Sequence, residues 1–214
     1  MLSSIPFFSC LDPSEMEQIE AAAMTRRYPR NTILMYEGED TGSFYLVIEG
    51  SVKVSRTNED GKSIILSILG PGDYFGEMAL IDNRPRSATV TTRSAAEMVV
   101  IPGRTFRRII SNNGQIITNM LKGTLTRLRH ANEQIASLAF KDVYGRMAML
   151  FNNLGREEKG MLVIDERLTH QEIATMIGAS REMVSRIMKE LVNGDYLLVE
   201  KQSMVIQKTL PYRW

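Results

Sequence analysis

Two stretches of the chain carry residue types at spacings suited to molecular recognition. The first is Gly72-Asp73-Tyr74-Phe75-Gly76-Glu77-Met78-Ala79-Leu80-Ile81-Asp82-Asn83-Arg84-Pro85-Arg86-Ser87-Ala88-Thr89-Val90. Glycine and other small residues let backbone N–H groups approach an anion, as in phosphate-binding nests. The Arg86 guanidinium adds charge and a fork of donors that fits phosphate oxygens. Glu77 would repel a phosphate, so its useful role is to accept from a sugar hydroxyl. The plainer alternative is a strand connection in which Arg86 pairs with Glu77, and local chemistry leaves both open.

The second stretch is Thr169-His170-Gln171-Glu172-Ile173-Ala174-Thr175-Met176-Ile177-Gly178-Ala179-Ser180-Arg181-Glu182-Met183-Val184-Ser185-Arg186-Ile187-Met188-Lys189-Glu190-Leu191. Thr169 and Glu172 have capping-box spacing, which predicts a helix start. Ile173, Ala174 and Ile177 supply an apolar face, and Gly178 suits the sharp turn of a helix-turn-helix. Ser180 is placed to cap a second helix whose Val184, Ile187, Met188 and Leu191 face inward. Arg181, Glu182, Ser185 and Arg186 are then left outside, near the helix N-terminus, where a recognition helix meets base edges. Arginine grips guanine O6 and N7 bidentately and glutamate accepts from cytosine N4. A solvated helix face with pairs such as Arg186 and Glu190 would share this pattern. The capped preceding helix and a following hairpin favour the DNA reader.

The elements that must position these residues follow three periods. Short strands are predicted at 32–36, 43–48, 50–54, 63–69, 88–92 and 96–101, separated by turn signals such as Glu59-Asp60-Gly61 and Gly70-Pro71-Gly72-Asp73. Regularly spaced short strands suit a barrel or sandwich. Next, Ile117, Leu121, Thr124, Leu128, Ala131, Ile135 and Leu138 recur at steps of four and three. That is a coiled-coil seam held over roughly three heptads, flanked by Lys122, Arg127, Arg129, Glu133 and Gln134. Such a narrow stripe predicts a partner helix, hence a homodimer, over an ordinary amphipathic helix. Helices are then predicted at 141–153, 169–177 and 180–193, followed by a wing-like hairpin of 196–200 and 204–208 around Lys201-Gln202-Ser203.

Composition narrows the classes. With 26 Lys and Arg against 25 Asp and Glu, the formal charge is +1, which excludes a wholly basic coat but not a local basic surface. A lone cysteine, Cys10, rules out an intramolecular disulfide framework and a cluster held by several thiolates of one chain. No nucleophile–base set, metal-ligand cluster or Walker loop stands out, so catalysis is not expected. The chain opens without a charged leader and apolar run, and no apolar stretch reaches the ~20 residues of a membrane span. The expected compartment is the cytoplasm.

Taken together, these motifs resemble the cyclic AMP receptor protein and fumarate–nitrate regulator superfamily, over nearly the whole chain. Phe75-Gly76-Glu77-Met78-Ala79-Leu80 with Arg86-Ser87-Ala88 is similar to its phosphate-binding cassette. Leu138-Ala139-Phe140-Lys141-Asp142-Val143-Tyr144-Gly145-Arg146 is similar to its hinge, and Ser180 to Arg186 to its recognition helix. The resemblance implies an α+β fold with an N-terminal cyclic-nucleotide-binding β-barrel (jelly roll) over 1–108. A long dimerisation helix over 109–140 and a C-terminal winged helix-turn-helix over 141–214 complete it. It implies that Arg86, Ser87 and the main chain of Gly76, Glu77, Met78 and Ala79 hold a cyclic phosphate, with the Glu77 side chain on the ribose 2′-hydroxyl. It also implies that Arg181, Glu182 and Arg186 read a TGTGA-like half-site, within a DNA-contacting set that includes Thr169, Gln171, Ser180, Ser185 and Lys189. Expected partners are double-stranded DNA, a second copy of the chain and RNA polymerase; Arg26 and Arg27 are read either as a contact for the last or as a solvated pair before Tyr28-Pro29, and no membrane or metal is expected.

Two departures qualify that picture. Where the cyclic AMP receptor has a threonine and a serine against adenine, this chain has Ala131 and Asn132. Arg127 and Asn132 are therefore the candidates for reading a purine. Cyclic AMP is the first expectation for the effector, with cyclic GMP or cyclic di-GMP as alternatives, and a constitutive regulator with a vestigial pocket as another. Ser185 stands where the cyclic AMP receptor has glycine and the fumarate–nitrate branch has serine, whereas Arg181 resembles the former. The iron–sulfur-sensing branch is disfavoured by the single cysteine. His130 and His170, the chain's two histidines, are read as solvent-exposed helix residues, not haem ligands. The seam makes one prediction. Leu128→Glu places a charge in it, and sedimentation equilibrium is expected to show the dimer mass falling to that of a monomer.

Overall fold

The computed structural model describes residues 8, 11–40, 42–165 and 167–210; Cys10 lies outside them. The chain divides into two compact units, residues 1–128 and 129–214.

In the first unit, Asp12 caps α1 (Pro13–Ala22) through a capping box with Glu15, and Pro13 stands at the first helical turn, where its missing N–H costs nothing. Eight strands follow: β1 (Met24–Tyr28), β2 (Ile33–Met35), β3 (Ser43–Glu49), β4 (Val52–Thr57), β5 (Ser63–Leu69), β6 (Tyr74–Phe75), β7 (Thr89–Thr92) and β8 (Ala96–Pro102). A short helix α2 (Met78–Asp82) interrupts them between β6 and β7, and α3 (Gly103–Asn112) follows β8. The strands form two four-stranded sheets, ordered β1-β8-β3-β6 and β2-β7-β4-β5. This is the β-rich architecture that the resemblance implied for the N-terminal domain, and every strand pair in it is antiparallel.

Strands β3 and β8 explain two nearly continuous apolar runs. Phe44 and Leu46 of β3, with Val99 and Ile101 of β8, join a core that includes Ile19, Phe106 and Ile116 of the helices. Val47 of β3, with Ala96 and Met98 of β8, joins a second core with Val52, Leu69 and Val90 of the other sheet. Each of these strands is buried on both faces, so alternation between apolar and polar residues is lost. Phe44 stacks on Phe106 with centroids 4.2 Å apart.

Helix α4 (Gly114–Phe140) begins where the Asn113 side chain accepts from the amides of Gln115 and Ile116. It starts later than residue 109 because α3 occupies 103–112 and ends at Asn113. Its first half carries two stripes. Ile116 and Met120 are buried and Gly123 and Arg127 half-buried, while Ile117, Leu121, Thr124 and Leu128 are exposed. The seam continues in the second unit with Ala131, Ile135 and Leu138, and Ile135 remains 64% exposed. One helix thus packs on its own domain with one face and leaves an apolar seam on another.

In the second unit Asp142 caps α5 (Val143–Leu154), whose Met147 and Phe151 are fully buried. The hairpin β9 (Arg156–Glu158) and β10 (Met161–Ile164) follows, then α6 (His170–Ile177), α7 (Arg181–Asn193), β11 (Leu197–Val199) and β12 (Met204–Ile206). The four strands form one sheet, ordered β11-β12-β10-β9. The predicted wing is present as β11 and β12, and β9 and β10 extend it. β9 was not legible because its three residues, Arg156-Glu157-Glu158, are all charged and exposed and carry no strand-like alternation. The inward residues Ile173, Ala174, Ile177, Val184, Ile187, Met188 and Leu191 close the core as expected. The two-faced burial of β3 sets a contrast: Phe44→Ala is expected to cost about 3–5 kcal/mol. Leu66→Ala, on the exposed face of β5, is expected to cost less than about 1 kcal/mol. Equilibrium urea unfolding of the two variants checks both.

Candidate ligand site and nucleic-acid interface

Arg86 is held from both ends. Its backbone N–H donates to Glu39 O and its carbonyl accepts from Gly38 N–H, both at 2.8 Å, so the 38–39 turn pins the start of the segment leading to β7. Its guanidinium is buried, with Nη1 donating to Gly76 O at 2.6 Å and Nη2 to Ser43 O at 2.9 Å. Burial pushes the Arg86 pKa down, opposed by the nearby Tyr45, Glu77 and Glu39 groups. Arginine has five N–H donors and stays protonated in proteins, so donors remain for an anion.

Gly76 is required here. It sits at φ +83°, and a Cβ would lie 2.7 Å from Ser43 O and 2.8 Å from Arg86 Nη1. Any side chain would displace the guanidinium or the strand beneath it. Gly42 borders the same group, its Cβ position 3.3 Å from Arg86 Nη2. Gly42, Ser43 and Tyr74 are parts of the site that sequence reasoning missed. Ser43 acts through its main chain, which carries no residue-type signal.

Glu77 is 7% exposed and pairs with Arg127 rather than Arg86, Oε1 lying 2.9 Å from Nη1. The simple Arg86–Glu77 pairing weighed for this stretch is therefore not found. Burial raises the Glu77 pKa, opposed by Arg127, a backbone hydrogen bond and Arg86. Arg127 also donates from Nη2 to Tyr74 O, and its guanidinium lies 4.6 Å from the Tyr74 ring centroid. Tyr74 completes the link by donating its hydroxyl to Met120 O at 3.2 Å. Its oxygen approaches so closely that a Cβ on Gly123 would lie 2.6 Å away.

The first unit thus brings Gly76, Glu77, Met78, Ala79, Arg86, Ser87 and Arg127 into one neighbourhood. Met78 and Ser87 are exposed, the Ser87 hydroxyl 3.5 Å from Met78 Sδ, and Ala79 is buried. Asn132 is exposed further along α4, in the second unit, so it is not among the residues this unit assembles. Arg27, one of the two arginines considered for a polymerase contact, pairs with Glu97 at 2.7 Å on the exposed β1 edge.

The second unit builds a helix-turn-helix. Thr169 and Glu172 form the reciprocal capping box, Glu172 N–H donating to Thr169 Oγ1 at 3.1 Å and Thr169 N–H to Glu172 Oε2 at 2.8 Å. Gly178 ends α6 in the left-handed region at φ +63°. Arg146 of α5 donates to the carbonyls of Ile177 and Gly178, at 2.9 and 3.3 Å, satisfying acceptors that the helix end leaves open. Ser180 caps α7 by accepting from Met183 N–H. Arg181, Glu182, Arg186 and Lys189 are exposed along α7, Gln171 is exposed on α6, and Thr169 and Ser180 are exposed at the caps.

The histidines behave differently from each other. His130 is exposed as read, beside Glu133 at 3.5 Å. His170 is half-buried, its Nδ1 2.8 Å from Ser185 Oγ, because the start of α6 lies against α7. Its reading as a solvent-exposed residue is corrected accordingly. Among the described residues, no group of three His, Cys, Asp or Glu side chains comes together to hold a metal, and no helix is long and apolar enough to cross a membrane.

Comparison with known proteins agrees with this arrangement. Residues 25–113 match the cyclic nucleotide-binding domain family and residues 145–209 the Crp-like helix-turn-helix domain family. The cAMP-activated global transcriptional regulator CRP of Haemophilus influenzae is 36% identical over 184 residues, 84% of this chain and 82% of that one. The CRP-like cAMP-activated global transcriptional regulator of Mycobacterium tuberculosis is 31% identical over 210 residues, covering 96% and 94%. Among solved structures, the c-di-GMP responsive global regulator CLP of Xanthomonas campestris superposes with a TM-score of 0.76 at 28% identity, covering 92% of this chain and 100% of that one. With a ligand-domain family and a DNA-reading family matched in that order, and relatives aligned over most of both chains, this protein belongs to the cyclic AMP receptor protein and fumarate–nitrate regulator family of transcription regulators, not to a family of enzymes.

Proposed function

We propose that this chain is a cytoplasmic homodimer that reads a TGTGA-like palindrome under the control of a cyclic nucleotide. The observation that carries ligand control is the buried Arg86 guanidinium, resting on two main-chain carbonyls beside a buried Glu77. A buried cation placed among neutral acceptors is better satisfied once an anion shares its remaining donors. The cyclic phosphate is assigned to Arg86, Ser87 and the main chain of Gly76 to Ala79, and the ribose hydroxyl to Glu77.

Arg127 connects that pocket to α4. A ribose hydroxyl donating to Glu77 competes with Arg127 for the same carboxylate. The balance of the Glu77–Arg127–Tyr74 contacts then differs between the free and bound states. A ligand shifts a conformational equilibrium only through such differential contacts. Arg127 and Asn132 are assigned to the base, Ala131 lacking a side chain that can hydrogen-bond. Cyclic AMP is the preferred effector, since the relatives named above are cAMP-activated. Cyclic di-GMP is the second reading, favoured by the neighbour named as responsive to it. Bound to DNA, the dimer would meet RNA polymerase, with Arg26 and Arg27 as candidate contacts.

On α7 the exposed Arg181, Glu182 and Arg186 are assigned to base edges, with Ser185 beside them. Lys189, Gln171, Thr169 and Ser180 are assigned to the surrounding DNA contacts. Fluorescence anisotropy with a TGTGA-palindrome duplex at fixed salt tests ligand control. One cyclic nucleotide is expected to tighten binding about 5- to 150-fold. Arg86→Leu is expected to abolish that response and calorimetric nucleotide binding while leaving a folded dimer. Equal affinity with every nucleotide tested would sink ligand control and leave a constitutive regulator. For the reader, Arg181→Ala is expected to lose discrimination worth about 1–3 kcal/mol at one base pair. Unchanged discrimination across single-base operator variants would refute that assignment.

A further inference from the structure

His170 is the first residue of α6, just inside the Thr169–Glu172 capping box, and it reaches across the helix-turn-helix to α7. Its Nδ1 lies 2.8 Å from the hydroxyl of Ser185, one helical turn beyond Arg181 and adjacent to Arg186. Both side chains are half-buried. The bond therefore joins the flank of the reading helix to the element that supports it.

A serine hydroxyl left free on a reading face is permissive. It rotates, offering one donor or two lone pairs, and so suits either class of base edge. A neutral imidazole nitrogen has one role, donor or acceptor, set by the bond its partner nitrogen makes. With Nδ1 as the acceptor, the hydroxyl commits its single proton to the imidazole, so Ser185 presents only lone pairs toward the groove and serves there as an acceptor. The anchoring is stiff, because both helices are capped and Arg146 holds the turn between them. The hydroxyl is oriented before DNA arrives, so less conformational freedom is lost on binding.

We propose that His170 is a positioning residue for sequence reading: by holding the Ser185 hydroxyl across the helix-turn-helix, it makes Ser185 discriminate between bases that a free serine would tolerate. This rests on the reading of α7 as the DNA-contacting helix. It differs from a purely structural role, in which the bond only fastens α6 to α7. A fastener predicts lower stability and a uniform loss of affinity, with an unaltered order of preference among sequences.

The test measures dissociation constants of the full-length protein, at fixed salt, for a panel of duplexes carrying every single-base change in the half-site. The base position whose preference changes in Ser185→Ala identifies what Ser185 reads. His170→Ala is expected to flatten preference at that same position by about 3- to 10-fold, leaving the position altered by Arg181→Ala intact. The double variant is expected to be no flatter than Ser185→Ala alone. His170→Asn, whose amide places a hydrogen-bonding atom where Nδ1 sits, is expected to restore the preference. If His170→Ala does not fold, His170→Gln serves instead, since its longer amide bypasses that place while keeping the bulk.

A His170→Ala profile superimposable on that of the parent would overturn the proposal. So would a uniform loss at all positions, flattening away from the Ser185 position, or additive effects in the double variant. A Ser185→Ala variant with no altered position would overturn it while leaving the Arg181 assignment standing. A parent protein that fails to discriminate among the duplexes would remove the DNA-reading assignment, and this proposal with it.

Discussion

Between Glu77 and Arg127 two charged groups, fifty residues apart, meet at 2.9 Å on the inner side of α4. Glu77 is nearly excluded from water, and a carboxylate in that position without a partner would carry a heavy desolvation cost. Arg127 is the partner, and it is half-exposed, so the pair can be opened without burying a lone guanidinium. Everything else around the site follows from where Arg127 has to be. It needs the Tyr74 carbonyl and ring beside it, and Tyr74 needs a residue at position 123 with no side chain. Gly123 weakens a helix on propensity grounds, yet it lets α4 approach the Tyr74 hydroxyl closely.

Helix α4 therefore answers to two constraints within one sequence. Ile116, Met120, Gly123 and Arg127 face the helix's own domain, while Ile117, Leu121, Thr124 and Leu128 form the exposed seam. The two stripes lie about 100° apart on the cylinder, because each follows the same spacing of four and three, offset by one residue. A change in how the first stripe sits on the barrel is necessarily felt by the second.

The DNA-reading unit spends its polar groups on fixing geometry. The Thr169–Glu172 box, the Ser180 cap, the left-handed Gly178 and the Arg146 contacts to the turn carbonyls define both helix ends. Each satisfies a backbone group that a helix terminus leaves open. The charged residues Arg181, Glu182, Arg186 and Lys189 stay on the exposed face. Recognition side chains that stand on a rigid support lose little entropy when they engage a ligand.

Much of this was legible in the amino-acid sequence, because the signals are local. The capping box at Thr169, the turn glycine at Gly178, the inward residues of α7, the seam of α4 and the wing depend on residues within a few positions of each other. The family resemblance then supplied the order of the domains and the roles expected of Arg86 and Glu77. Partners across long separations were not legible: Arg86 with the Ser43 carbonyl, Glu77 with Arg127, His170 with Ser185. Main-chain acceptors carry no residue signature, and a side chain's spacing says which face it occupies but not what lies opposite. Strands β1, β6, β9 and β10 were missed for a related reason. They are short or lack strand-like alternation, and they exist because neighbouring strands offer a ladder. By itself the sequence determined where the two helices of the helix-turn-helix begin and end, which of their faces are apolar and where the α4 seam runs, since capping and periodicity act over a few turns. Only the tertiary structure decided which buried charge meets which, because that depends on how the sheets and helices close around each other.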